Sequence, residues 1–224
     1  MKTTPLPPSE KTPVLSCNDF RHAPFLVVAV VGPPGAGKTS LIEATARQSR
    51  GKNRVGVITL NPAAERDADR LARYCEHVEA IKAAAPVPHI VESVLPRFRF
   101  EDIDLLIIES LGGITGVPQF GQDLTVTVLS VSGGDDKAAE YADLVLRSDA
   151  IILSQADLQR HVMFDRGTFQ ADIQRLHPEA SFFEISTFDN KGLDRWLTWL
   201  DRHAAVKNPS HGQARDPPSE WFVG

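Results

Sequence analysis

The sequence predicts an α/β fold of three layers, with a mostly parallel central sheet flanked by helices. Two observations carry this. Short apolar runs rich in β-branched residues recur along the 224-residue chain and alternate with helix-like segments. Runs of that kind suit strands buried on both faces, and the alternation favours parallel pairing. Second, Gly32-Pro33-Pro34-Gly35-Ala36-Gly37-Lys38-Thr39 lies between the first run and the first helix and matches G-x-x-x-x-G-K-[ST].

Residues 1–23, rich in Pro, Ser and charge, read as a poorly ordered arm. The domain proper is expected over 24–205, and 206–224 reads as a flexible tail in which Trp221-Phe222 could dock on the domain. Within the domain, Phe25 to Val31 is the first strand, and a helix beginning near Lys38 turns Leu41, Ile42 and Thr45 to the core. Val55 to Leu60 follows as a strand, Ala63 to Tyr74 as an amphipathic helix with Ala68 and Leu71 inward, and His77 to Lys82 as a short strand. Asp67 and Asp69 belong to the solvated face of that helix. His89 to Phe98 reads as a helix broken by Pro96. Ile103 to Ile108 and Leu124 to Val131 are strands, Lys137 to Leu146 is helical, and Ala150 to Leu153 is a strand. A helix around Phe169 to Leu176 stops before Pro178, Ser181 to Ile185 is the last strand, and Leu193 to Ala204 is a helix burying Leu193, Trp196, Leu197 and Leu200.

The eight-residue motif is a phosphate-binding loop. Its backbone N–H groups wrap the phosphates of a nucleotide, and its glycines allow a tight, partly left-handed path that a Cβ would block. Lys38 is placed to reach the β and γ phosphates, and the Thr39 hydroxyl to ligate Mg²⁺. Ser40 joins them in the first helical turn, whose positive end also faces the phosphates. The formal net charge of −5 and the lack of a basic run argue against a general nucleic-acid binder. No apolar run approaches the ~18 residues of a membrane span, and the N-terminus lacks the apolar stretch of a signal peptide. With only two cysteines, Cys17 and Cys75, a reducing cytoplasm fits better than a disulfide framework.

Three further segments matter together: Ile107-Ile108-Glu109-Ser110-Leu111-Gly112-Gly113, Leu129-Ser130-Val131-Ser132-Gly133-Gly134-Asp135-Asp136-Lys137, and Asn190 to Leu200. With the phosphate loop they resemble the GTPases that mature nickel enzymes, above all the hydrogenase nickel-incorporation GTPase, with the urease accessory GTPase as a near cousin. The resemblance runs over roughly residues 25–203. It implies a P-loop NTPase fold of the SIMIBI class that binds GTP and Mg²⁺. It also implies a homodimer with nucleotides near its interface, slow hydrolysis, and delivery of nickel to an apo-enzyme alongside other maturation factors. Glu109 would hold a Mg²⁺-bound water.

The chain departs from that family at functional positions. Where the family carries Asn-Lys-x-Asp to read guanine, this chain has Ser154-Gln155-Ala156-Asp157. Asp157 can still accept a charge-assisted pair from guanine, but Gln155 lacks the lysine charge, so weaker or relaxed base selectivity, GTP over ATP, is expected. Ser186-Thr187 matches the last base-contacting loop. Asn61 stands where the family has an Asp near the Mg²⁺; its carbonyl is a weak ligand and a poor base, so hydrolysis should be slow or absent. Pro88-His89 replaces an interfacial Cys-His pair, leaving His89 as a lone Ni²⁺ or Zn²⁺ ligand unless Cys75 and His77 join it. A half-buried Cys and two surface histidines are the favoured reading there. Asp135, Asp136 and Lys137 fit either a contact with nucleotide or second subunit or a plain helix start. The leading expectation is a nucleotide-driven switch for nickel insertion into hydrogenase or a related enzyme. Its rivals are a catalytically weak nucleotide-binding scaffold and an ATP-using kinase or ATPase, although no arginine cluster suggests a kinase lid.

Overall fold

Seven strands of the described residues pair side by side, all parallel, in a computed structural model that describes residues 17–60, 64–82, 91–98, 100–110 and 119–208. They are β1 (Leu26–Val31), β2 (Val55–Leu60), β3 (His77–Ile81), β4 (Leu105–Ser110), β5 (Leu124–Ser130), β6 (Ala150–Ser154) and β7 (Ser181–Glu184), in the order β3-β2-β4-β1-β5-β6-β7. The helices are α1 (Lys38–Ser49), α2 (Ala64–Leu71), α3 (Lys137–Glu140), α4 (Ala142–Leu146), α5 (Arg166–Leu176) and α6 (Leu193–Lys207). No helix among the described residues is long and apolar enough to cross a membrane.

The continuous apolar runs explain the sheet's position. Every residue of β1, β2, β4, β5 and β6 is buried, because alternate side chains feed clusters on opposite faces. Val28 and Val30 face α1 and α6, packing with Leu41, Ile42, Trp196 and Leu200. Val27 and Ala29 face Phe20, Phe25, Leu95 and Phe98. A third cluster, including Leu129, Ile151, Leu153 and Phe169, extends the core under α3 to α5. The order reverses direction around β1, whose neighbours are β4 and β5. Ligands of open α/β sheets bind at the carboxyl ends of strands at such a switch point, which is where the phosphate loop leaves β1.

Several boundaries shift for physical reasons. β4 begins at Leu105 rather than Ile103, because Ile103 N closes the preceding 3-10 turn onto Phe100 O at 3.3 Å; the Asp104 carboxylate accepts from Arg54 N, Nε and Nη2 at 3.0, 3.1 and 3.2 Å. α2 ends at Leu71, where the chain turns and Tyr74 N donates to Leu71 O. Leu71 is fully buried, while Ala68 is half-buried. The expected helix over 137–146 breaks into two at Tyr141, whose φ of −104° and ψ of 35° leave the helical region. α5 starts at Arg166 because Asp165 caps it, accepting from Gly167 N and Thr168 N. The helix expected over 89–98 does stop short of Pro96: Val91 and Glu92 are helical, residues 93 and 94 turn, and Pro96 sits in a 3-10 helix, Leu95–Arg97, while residues 89 and 90 lie outside the described residues. At the termini, Cys17–His22 forms a 3-10 helix inside the segment read as an arm, and its Phe20 is buried. Lys207, read as part of the tail, donates to Arg21 O at 2.9 Å and Asp123 Oδ1 at 2.6 Å, and Asn208 Nδ2 to Pro24 O at 2.9 Å.

The sharpest packing joint is Trp196. It is 1% exposed, edge-on to Phe183, and its Nε1–H donates to Thr45 Oγ1 at 2.9 Å, locking α6 to α1. Trp196→Phe keeps an aromatic ring but removes the donor and part of the volume. Thermal denaturation should show a loss of about 2 kcal/mol, roughly 4–8 °C in Tm for a domain of this size. An unchanged Tm would mean the hydrogen bond and indole volume do not hold the helix.

Candidate functional site

The phosphate loop takes the path its glycines permit. Gly32, Gly35 and Gly37 have φ of 149°, 76° and 84°. A Cβ on Gly32 would lie 2.2 Å from Val128 O, so the loop can leave β1 beside β5 only without a side chain there. Lys38 opens α1 and is 6% exposed. Its Nζ donates to Gly32 O and Pro33 O, both at 2.9 Å, so the ammonium closes over its own loop. Burial lowers the Lys38 pKa, while Glu109 and then Asp67 act to raise it.

Glu109 lies in β4 opposite Val30 of β1 and Thr59 of β2. That register sets its carboxylate beneath the phosphate loop. Thr39 Oγ1 donates to Glu109 Oε1 at 2.6 Å. The carboxyl is 2% exposed, and its Oε2 is the buried side-chain oxygen without a partner among the described residues. Burial raises the Glu109 pKa, against the Thr39 bond and the Lys38 charge. Such an orphaned hard oxygen beside a threonine hydroxyl is a donor set that fits Mg²⁺. It is also costly unless something positive or a donor arrives to meet it.

The departures at the β6 tip become intelligible. Ser154 Oγ donates to Ala36 O at 2.5 Å, binding the phosphate loop to the turn after β6. Gln155, left-handed at φ 56°, donates from Nε2 to Gly35 O at 3.2 Å and accepts from Ser132 Oγ at 2.5 Å. The neutral amide thus braces three loops. Asp157 is half-buried in the 3-10 turn Ala156–Arg160, and Ser186 is fully buried at the neighbouring β7 tip. Ala156 N donates to Ile185 O at 3.2 Å, joining these two tips.

The structure therefore brings together Gly32 to Thr39, Glu109, Ser154 and Gln155, with Asp157 and Ser186 on adjoining loops. Asn61 and Pro88-His89 lie outside the described residues. Asp67 corrects the reading of a solvated helix face: it is half-buried and acts electrostatically on both Lys38 and Glu109, whereas Asp69 is exposed. Sequence spacing held no signal for this, because the approach depends on how α2 packs. Ser132 was likewise not foreseen as the partner of Gln155. Asp135 Oδ2 accepts from Asp165 N at 3.0 Å, linking two loops, and Lys137 pairs with Glu140. Cys75 is half-buried against the core, and burial pushes its thiol up to about 12. His77 is half-buried rather than a surface residue, tilted against Phe98 with Nε2 3.2 Å from Glu79 Oε1. Among the described residues no three His, Cys, Asp or Glu side chains gather as a transition-metal site.

Comparison with known proteins bears on the family and the fold. The family described as CobW/HypB/UreG, nucleotide-binding domain, matches residues 26–184. Hydrogenase maturation factor HypB of Azotobacter vinelandii is 28% identical over 193 residues, 84% of this chain and 64% of that protein. The chain thus spans a little under two thirds of that relative's length. The crystal structure of hydrogenase maturation factor HypB from Archaeoglobus fulgidus superposes with a TM-score of 0.76 at 26% identity, covering 84% of this chain and 96% of that one. That of HypB from Helicobacter pylori, in complex with nickel, gives 0.74 at 25% identity, covering 89% and 95%.

Proposed function

We propose that this chain, which belongs to the CobW/HypB/UreG nucleotide-binding domain family, is a GTP-dependent switch serving the maturation of a nickel enzyme, hydrogenase or a relative of it. The single observation that carries the nucleotide part is the set of buried Lys38 and Glu109 with half-buried Thr39 at a glycine-shaped loop, with one carboxylate oxygen unpartnered among the described residues. The maturation part rests on relatives that are hydrogenase maturation factors and on a neighbour solved with nickel.

In this reading the loop amides and Lys38 grip the β and γ phosphates, the ammonium leaving Gly32 O and Pro33 O to do so. Thr39, and Glu109 through water, would hold Mg²⁺, which would supply charge neutralisation on the transferring phosphoryl group. Asn61 adds at most a weak metal contact, and His89 one imidazole toward Ni²⁺ or Zn²⁺. Catalysis is mainly positioning and charge stabilisation, and with Asn61 a poor base, turnover is slow. The working unit is a homodimer that acts with maturation factors or the apo-enzyme. A scaffold that binds without hydrolysis is the second reading, favoured by the uncharged Asn61; phosphate release in a single turnover removes it.

Base selectivity gives the direct test. A ligand stabilises the fold by RT ln(1 + [L]/Kd), so GTP with Mg²⁺ should raise Tm more than ATP does. Asp157→Ala should cut GTP affinity about tenfold, the size of one charge-assisted pair, and erase the difference from ATP. Larger stabilisation by ATP in the unmodified chain overturns the guanine assignment.

A further inference from the structure

Phe188 is 87% exposed, and no core cluster claims it. Exposed apolar residues scattered singly need no explanation. This one sits on a loop that is held from several sides. Between β7 and α6, Ser186 N donates to Lys191 O at 3.0 Å and Lys191 N to Asp189 Oδ1 at 3.2 Å. Asn190 is left-handed at φ 62°, and a Cβ on Gly192 would lie 2.1 Å from Glu184 O, so the loop's exit is also set by sterics. One side of the loop is tied to the turn carrying Asp157, through Ala156 N and Ile185 O at 3.2 Å. The other is tied to α1, through Arg47 Nη2 and Asn190 Oδ1 at 3.2 Å. A braced loop thus presents an aromatic ring to solvent, tied on one side to the turn carrying Asp157 and on the other to the last turn of α1.

Gln155, at the position of the lysine in the resembled motif, is committed elsewhere. Both ends of the Gln155 amide are used, on Gly35 O and on Ser132 Oγ. We infer that Phe188 is the stacking platform for the purine ring of the bound nucleotide, an inference that rests on the nucleotide reading above. Ring-on-ring stacking is tolerant of base identity, because every base has a π-face. Phe188 therefore supplies affinity, and Asp157 supplies the choice of guanine. The bonds within its loop hold the backbone, so binding has mainly the side-chain rotamer of Phe188 to order.

Calorimetry on the full chain with Mg²⁺ tests this using GTP and, as a base-free probe, inorganic tripolyphosphate. Phe188→Ala should weaken GTP binding about tenfold and leave tripolyphosphate binding unchanged. Phe188→Trp should keep GTP affinity, with indole emission quenched by GTP and not by tripolyphosphate. GTP affinity unchanged in Phe188→Ala overturns the stacking role while leaving the nucleotide site standing. An equal loss for both probes also overturns it, since the substitution would then be disturbing the phosphate loop. If the unmodified chain binds neither probe, the nucleotide reading itself fails.

Discussion

Lys38→Ala should abolish triphosphate binding and leave the fold in place. The two halves of this expectation come from the same geometry. The ammonium is nearly buried, its pKa is depressed by that burial, and its two hydrogen bonds go to carbonyls of its own loop. Its printed hydrogen bonds stay within the loop, so removing it forfeits local bonds and relieves the cost of keeping a cation out of water, while the buried Glu109 carboxyl loses one compensating charge. Binding has no such compensation. A triphosphate in the loop loses the one cation that the loop carries, and charge-assisted bonds of about 1.5–3 kcal/mol each set the scale. The expected loss is at least about 100-fold in Kd for GTP with Mg²⁺, with Tm of the free protein moving by a few degrees at most. Calorimetry and thermal denaturation of the same preparation separate the two halves. GTP affinity that survives the substitution would place the nucleotide elsewhere. A collapsed Tm would make Lys38 a structural residue.

The strands were legible because a parallel sheet needs residues that are apolar on both faces, and runs such as Leu26 to Val31 can satisfy little else. The phosphate loop was legible because its chemistry demands particular residues at fixed spacing. What stayed hidden depends on polar side chains choosing partners far along the chain. Asp104 carries no sign in sequence of Arg54, the partner found against it 50 positions away. Ser154 reads as a poor replacement for a base-reading Asn, yet its hydroxyl turns inward to Ala36 O across 118 positions. Asp67 looks like one more helix-surface carboxylate, because nothing in α2 alone says which side faces Lys38. Phe188, one aromatic in a polar stretch, carries no periodic signal at all.

Glu109→Gln should shift nucleotide affinity in opposite directions with and without Mg²⁺, and that change of sign is a stronger test than a simple loss. Gln keeps the size of the side chain and the acceptor that Thr39 Oγ1 uses at 2.6 Å, but it removes the negative charge and the orphaned Oε2. With Mg²⁺ present, the variant lacks the hard anionic oxygen that would hold the metal or its water, and GTP affinity should fall about tenfold. With Mg²⁺ chelated, the native carboxylate faces the phosphates as an uncompensated like charge, at a site where solvent screens little. Removing it should then tighten GTP binding by a few-fold. The same substitution thus weakens binding in one condition and strengthens it in the other. A purely structural role for Glu109 predicts losses of the same sign in both, because a damaged loop grips phosphate poorly with or without metal. Titrating GTP affinity against Mg²⁺ for both proteins reads the difference directly, and parallel curves would remove Glu109 from the metal site.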